Sequence, residues 1–183
     1  MEPNDLIGLL ESRRIAFHGV IDVRQVVHAL DEQGQDPAEA FTTLFHASTA
    51  EDLAWRFYAL EGMRALAVRG RLREEQADML LEMTDGVALQ MGTDEYYKSI
   101  SAVAFSPETA PVLVPFVRQK LERRNISDWR WVAFFATAAY LGTPRARIPF
   151  DLAQQLIFEA HEETNPVRGP QLKEIAVAAL ADR

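Results

Sequence analysis

Apolar residues recur through most of the chain at the three- and four-residue steps of a helix, and they are densest from Trp129 to Leu141. That stretch, Trp-Arg-Trp-Val-Ala-Phe-Phe-Ala-Thr-Ala-Ala-Tyr-Leu, leaves no polar face, so as a helix it has to be wrapped by other helices. It is too short to span a bilayer, and Arg130 and Thr137 interrupt it, which makes it the centre of a soluble core. Ser127 is placed to cap it, Asp128 adds a favourable charge in its first turn, and Gly142 reads as a left-handed stop.

The same pattern predicts helices on either side. Leu6, Ile7, Leu9 and Leu10 fit a short amphipathic helix, and Val23, Val26, Val27 and Leu30 a second that closes at Gly34. Between them, Ile15 to Val20 is too short for its period to separate a buried strand from a helical turn. Asp36-Pro37-Ala38-Glu39 combines a capping carboxylate, a first-position proline and a glutamate three residues on, and predicts a helix to about Ala47. Ser48-Thr49-Ala50-Glu51 has the spacing of another capping box, ahead of a long helix that stops at Gly70.

From Arg73 to Met91, Ala77, Leu80, Leu81, Thr84, Ala88 and Met91 line one helix face, expected to be buried, and Glu75, Asp78, Glu82 and Asp85 line the other. Helices over 93–105, 110–124, 150–163 and from Gly169 onward follow, with Pro115 expected to kink or delay the first turn of its helix. The expected fold class is therefore all-α.

Composition narrows the picture. The 183 residues suit one domain with room for a sizeable core. The absence of cysteine excludes disulfides, thiolate metal sites and a cysteine nucleophile. The acidic start Met-Glu-Pro-Asn-Asp shows no secretory signal, and the expected location is the cytoplasm. A formal charge of -8 argues against generic nucleic-acid binding and favours a basic partner.

The more apolar helices start near Asp52, Asp94, Asp128 and Arg168, at intervals within the range of helix-pair repeats. On that alternation the chain resembles a short HEAT-type array, an α-α superhelix over residues 48–183, with residues 1–47 as an N-terminal helical cap. A non-repeating helical bundle accounts for the same pattern. The resemblance implies that the second helices of each pair line a concave surface.

Candidate chemistry is sparse. No phosphate-binding glycine loop and no Gly-x-Ser-x-Gly elbow is present, and the four histidines, His18, His28, His46 and His161, supply no local ligand pair. No cofactor or metal is expected. The first expectation is a non-catalytic interaction module that binds a basic protein through Glu75, Asp78, Glu82, Asp85, Glu122, Glu159 and Glu162, with Met79 and Met83 as apolar anchors. A bacterial immunity or inhibitor protein masking a basic toxin is one form of it. A second reading is nucleic-acid binding or repair along an arginine ridge of Arg118, Lys120, Arg123, Arg124, Arg145 and Arg147. A third is a metal-dependent enzyme around Glu159, His161 and Glu163, although the Glu-x-x-His spacing of di-iron bundles is absent.

Overall fold

A computed structural model describes residues 1–14, 21–123 and 127–181. Among these the regular structure is all-α: ten α-helices, with a 3-10 turn over Ala110–Val112. They are α1 (Pro3–Ser12), α2 (Val23–Glu32), α3 (Pro37–Ala47), α4 (Leu53–Ala67), α5 (Glu74–Met91), α6 (Asp94–Ala104), α7 (Leu113–Glu122), α8 (Ser127–Leu141), α9 (Phe150–Glu162) and α10 (Arg168–Ala181). The ambiguous Ile15–Val20 lies outside the described residues. On either side of it Arg14 and Ile21 form one isolated antiparallel bridge.

The chain divides into two units, Met1–Ala102 and Val103–Arg183. In the first, α4 is the hub, packed on α2, α3 and α5, while α1 lies against α2 and α3. Residues 1–47 thus share a unit with α4 and α5. Gly62 sits in the middle of α4, where an added Cβ would lie 2.5 Å from ring atoms of the buried Phe41. The missing side chain lets α3 and α4 approach closely, which justifies a residue that costs a helix interior about 1 kcal/mol relative to alanine.

In the second unit α8 packs chiefly on α7 and α10, and α10 also packs on α9. Every residue from Trp129 to Leu141 is buried or half-buried, as its lack of a polar face requires. The helices thus pack in neighbouring pairs such as α7 with α8 and α9 with α10. Pro115 falls in the first turn of α7, where a missing N–H has little to lose, and the preceding turn is 3-10.

Several helix ends follow from the sequence directly. The Asp36 carboxylate accepts hydrogen bonds from the backbone N–H groups of Ala38 and Glu39, and Asp22 accepts from that of Arg24. Gly34 (φ 68°) and Gly70 (φ 63°) take the left-handed conformation beyond α2 and α4. There the N–H groups of Gln35 and Arg71 reach back to the carbonyls of Leu30 and Leu66.

Two ends differ from expectation. The Ser48 hydroxyl donates to the Leu44 carbonyl and closes α3, so it does not cap α4. Asp52 is the residue before α4, and its carboxylate accepts from the N–H and hydroxyl of Thr49. A serine satisfies a trailing carbonyl as readily as a leading N–H, and spacing alone does not choose between them. Gly142 is not left-handed. The Thr143 hydroxyl bonds the Tyr140 carbonyl, and the positive φ (62°) falls at Arg145.

Candidate functional site

On α5, Glu75, Asp78 and Glu82 succeed one another at three- and four-residue steps and span about 10 Å of the helix. All three are exposed, and none has an ion-pair or hydrogen-bond partner among the described residues. The opposite face buries Ala77, Leu80, Leu81, Thr84 and Ala88. That burial fixes the rotation of the helix and hence the direction of the carboxylates. Glu74 and Glu75 also lie in the first turn, where negative charge favours the helix dipole.

Asp85, next along the stripe, has a different environment: the Tyr96 hydroxyl donates to its carboxylate at 2.5 Å. Of the proposed apolar anchors, Met83 is only 1% exposed and belongs to the core, while Met79 is half-buried. The exposed apolar side chains of this helix are Leu89 and Met91; Met91, expected on the buried face, is the last residue of the helix and is 45% exposed.

In the second unit Glu122 and Glu162 are exposed. Glu159 is not the outward residue the pattern assigned. It is 8% exposed and accepts a 2.8 Å hydrogen bond from Arg130 Nε. Glu163 lies 3.7 Å from the same guanidinium and also accepts from the Asn165 N–H. The carboxylates of the enzyme reading are therefore brought together by an arginine. His161 is exposed, and among the described residues no group of three potential ligands is placed to hold a metal ion.

The arginine ridge is also redistributed. Lys120 is 1% exposed, with its ammonium 4.2 Å from the Trp129 ring centroid and 4.8 Å from that of Phe116. Arg118 forms a bidentate pair with Asp151 at 2.7 and 3.1 Å. That hydrogen bonding raises the guanidinium pKa and holds the Asp151 carboxyl below its ordinary range. Arg123 is exposed and stacks over Trp129 at 4.9 Å, and Arg145 and Arg147 are exposed on the link between α8 and α9. Arg124 lies outside the described residues.

The densest polar cluster was not anticipated. Arg64, 6% exposed, donates to the carboxylates of Glu61 and Glu95, the Glu95 carbonyl and the Ser99 hydroxyl. Lys98 donates to the other Glu95 oxygen, and the Thr84 and Ser99 hydroxyls lie 2.6 Å apart. Burial alone would raise the Glu95 pKa, but hydrogen bonds from Lys98 and Arg64 outweigh it and hold the carboxyl below its ordinary value. With its charges balanced and its donors met, this cluster ties α4, α5 and α6 together.

No helix among the described residues is long and apolar enough to cross a membrane. Comparison with known protein families, with curated proteins and with solved structures gives no match in any of the three.

Proposed function

We propose that the protein is a non-catalytic interaction module whose α5 face receives a basic protein partner. The observation that supports this is the row of Glu75, Asp78 and Glu82, exposed on one helix face and unpaired among the described residues. Elsewhere exposed carboxylates such as Asp31 and Asp151 are bound by arginines of the same chain. Three like charges in a row repel one another, and a partner carrying lysine or arginine relieves that repulsion while gaining electrostatic steering. Leu89 and Met91 at the end of the same helix offer apolar contact that charge alone lacks.

On this reading α4 and α5 form one helix pair of a HEAT-type array, and α5 is its second helix. An immunity or inhibitor role toward a basic toxin is one biological form of the same chemistry. The cytoplasm is the compartment we assign to it.

The test is affinity capture from lysate of the source cells at low and high salt. Wild type is compared with a variant in which Glu75, Asp78 and Glu82 are all changed to lysine, after circular dichroism has shown that the variant keeps its helices. A basic protein retained by wild type, released by salt and lost by the variant is the expected result. Equal capture by both proteins removes α5 from the account, and recovery of nucleic acid by wild type transfers the function to the exposed arginines.

A further inference from the structure

The half-buried and buried arginines among the described residues are Arg56, Arg64, Arg118, Arg130 and Arg168. Four of them reach carboxylates: Arg64 to Glu61 and Glu95, Arg118 to Asp151, Arg130 to Glu159 and Glu163, and Arg168 to Asp128. Arg56, on α4, is the exception. Its Nε is buried and has no hydrogen-bond partner among the described residues.

The guanidinium is nevertheless held in a defined seat. Its Cζ lies 4.3 Å from the centroid of the Phe45 ring on α3. On the α5 side its Nη2 stands 2.5 Å from where a Cβ at Gly86 would be, so the glycine makes the room. An aromatic ring attracts the cation through its face, but it offers no acceptor in the plane of the guanidinium, where the N–H groups point. Buried donors are met as a rule, and an unmet one on a charged group marks a place for an acceptor. Arg56 and Gly86 are both half-buried, so this seat borders solvent. Because a stack and not an ion pair holds the guanidinium, it can tilt toward an incoming acceptor without first breaking a hydrogen bond to a described residue.

We propose that Arg56 is an anion-binding residue and that its ligand is a singly charged carboxylate. The planar fork of N–H groups matches the two oxygens of a carboxylate. The charge of the ligand is set by its neighbours. Asp85 adjoins Gly86, and Glu82 is one helical turn away on the same helix. Their field penalises each additional negative charge, so a monocarboxylate is accepted in preference to doubly charged phosphate. This site does not rest on the basic-partner reading, because it is argued from the Arg56 guanidinium and its seat between Phe45 and Gly86.

The test is a titration of the full-length protein with sodium acetate, inorganic phosphate and, as an ionic-strength control, sodium chloride. It is followed through the arginine Nε–H signals in nitrogen-15 NMR spectra, with the Arg56 signal assigned by its loss in Arg56→Gln. A saturable shift with acetate, weaker with phosphate and absent with chloride, is expected. Arg56→Lys, which keeps the charge but not the fork and is followed through the backbone amide signal of Gly86 in place of the lost Nε–H, should weaken acetate binding about tenfold, as loss of one charged hydrogen bond implies. Gly86→Ala, which crowds the guanidinium from its seat, should weaken it as well. If no anion gives a saturable shift, or chloride acts like acetate, there is no site at Arg56. Tighter binding of phosphate overturns the preference for carboxylate. Unchanged acetate affinity in Arg56→Lys shows that simple charge attraction, and not the fork, is at work.

Discussion

Arg64 in the first unit and Lys120 in the second are both nearly inaccessible, at 6% and 1% exposure, yet they sit in different surroundings. Arg64 carries a planar fork of donors and lies among in-plane acceptors: two carboxylates, a carbonyl and a hydroxyl. Lys120 carries a compact ammonium flanked by the faces of Phe116 and Trp129. The difference has a thermodynamic consequence. The Glu95 carboxyl beside Arg64 is held below its ordinary pKa, so part of the stability of the first unit is tied to pH, whereas a ring face carries no proton to gain.

The comparison breaks most visibly at its strongest point. Arg64→Ala leaves Glu95 buried beside a missing cation, and a loss of about 3–5 kcal/mol in urea unfolding of the first unit is expected. A loss below about 1 kcal/mol would mean that the cluster is better hydrated than its burial suggests. Trp129→Leu removes the ring over which both Lys120 and Arg123 stack, and should destabilise the second unit by about 2–3 kcal/mol.

The acid limb sharpens the contrast. Glu95 has its folded-state pKa held below the ordinary 4.5, so its stabilising contribution is complete above that value and is lost as pH falls through the lower folded value. Unfolding measured against pH should therefore show a downward slope below pH 4.5 that flattens in Glu95→Gln. A slope unchanged by that substitution assigns the acid sensitivity elsewhere. The smallest effect belongs to the exposed pairs: Arg71→Ala, which frees Asp31, should cost less than about 1 kcal/mol, and raised salt should shrink that further.

The backbone plan was legible because it rests on period and punctuation. The apolar run of α8, the Asp36 cap and the glycine stops at 34 and 70 each have a local cause, and each took the expected form. The two buried cations were legible too, by a signal the helical reading passed over. Leu60, Met63, Arg64 and Ala67 form an unbroken step of three, four and seven residues along α4, and Leu113, Phe116, Val117 and Lys120 repeat it on α7. A charge that completes an apolar stripe faces inward. Glu159 follows the same rule, standing seven residues after Leu152 on the inward side of α9.

What resisted reading is tertiary. Nothing near Arg130 in sequence announces Glu159, twenty-nine positions away, or that Arg56 would have no carboxylate opposite it among the described residues. The acidic stripe of α5 was correct as a pattern on Glu75, Asp78 and Glu82, but Asp85 meets a tyrosine that arrives from the next helix.

The wrapping of α8 also gives the molecule its own optical probes. The chain has three tryptophans; Trp129 and Trp131 lie on α8, and Trp55 lies on α4 in the first unit. Trp129 is buried against cations, and Arg168 stacks 5.7 Å from the Trp131 ring, so their emission should respond sharply when α8 loses its neighbours. With Trp55 changed to phenylalanine, intrinsic fluorescence becomes a reporter of the second unit alone. With Trp129 and Trp131 changed to phenylalanine, it reports the first, and the melting of each half can be watched without attaching a dye.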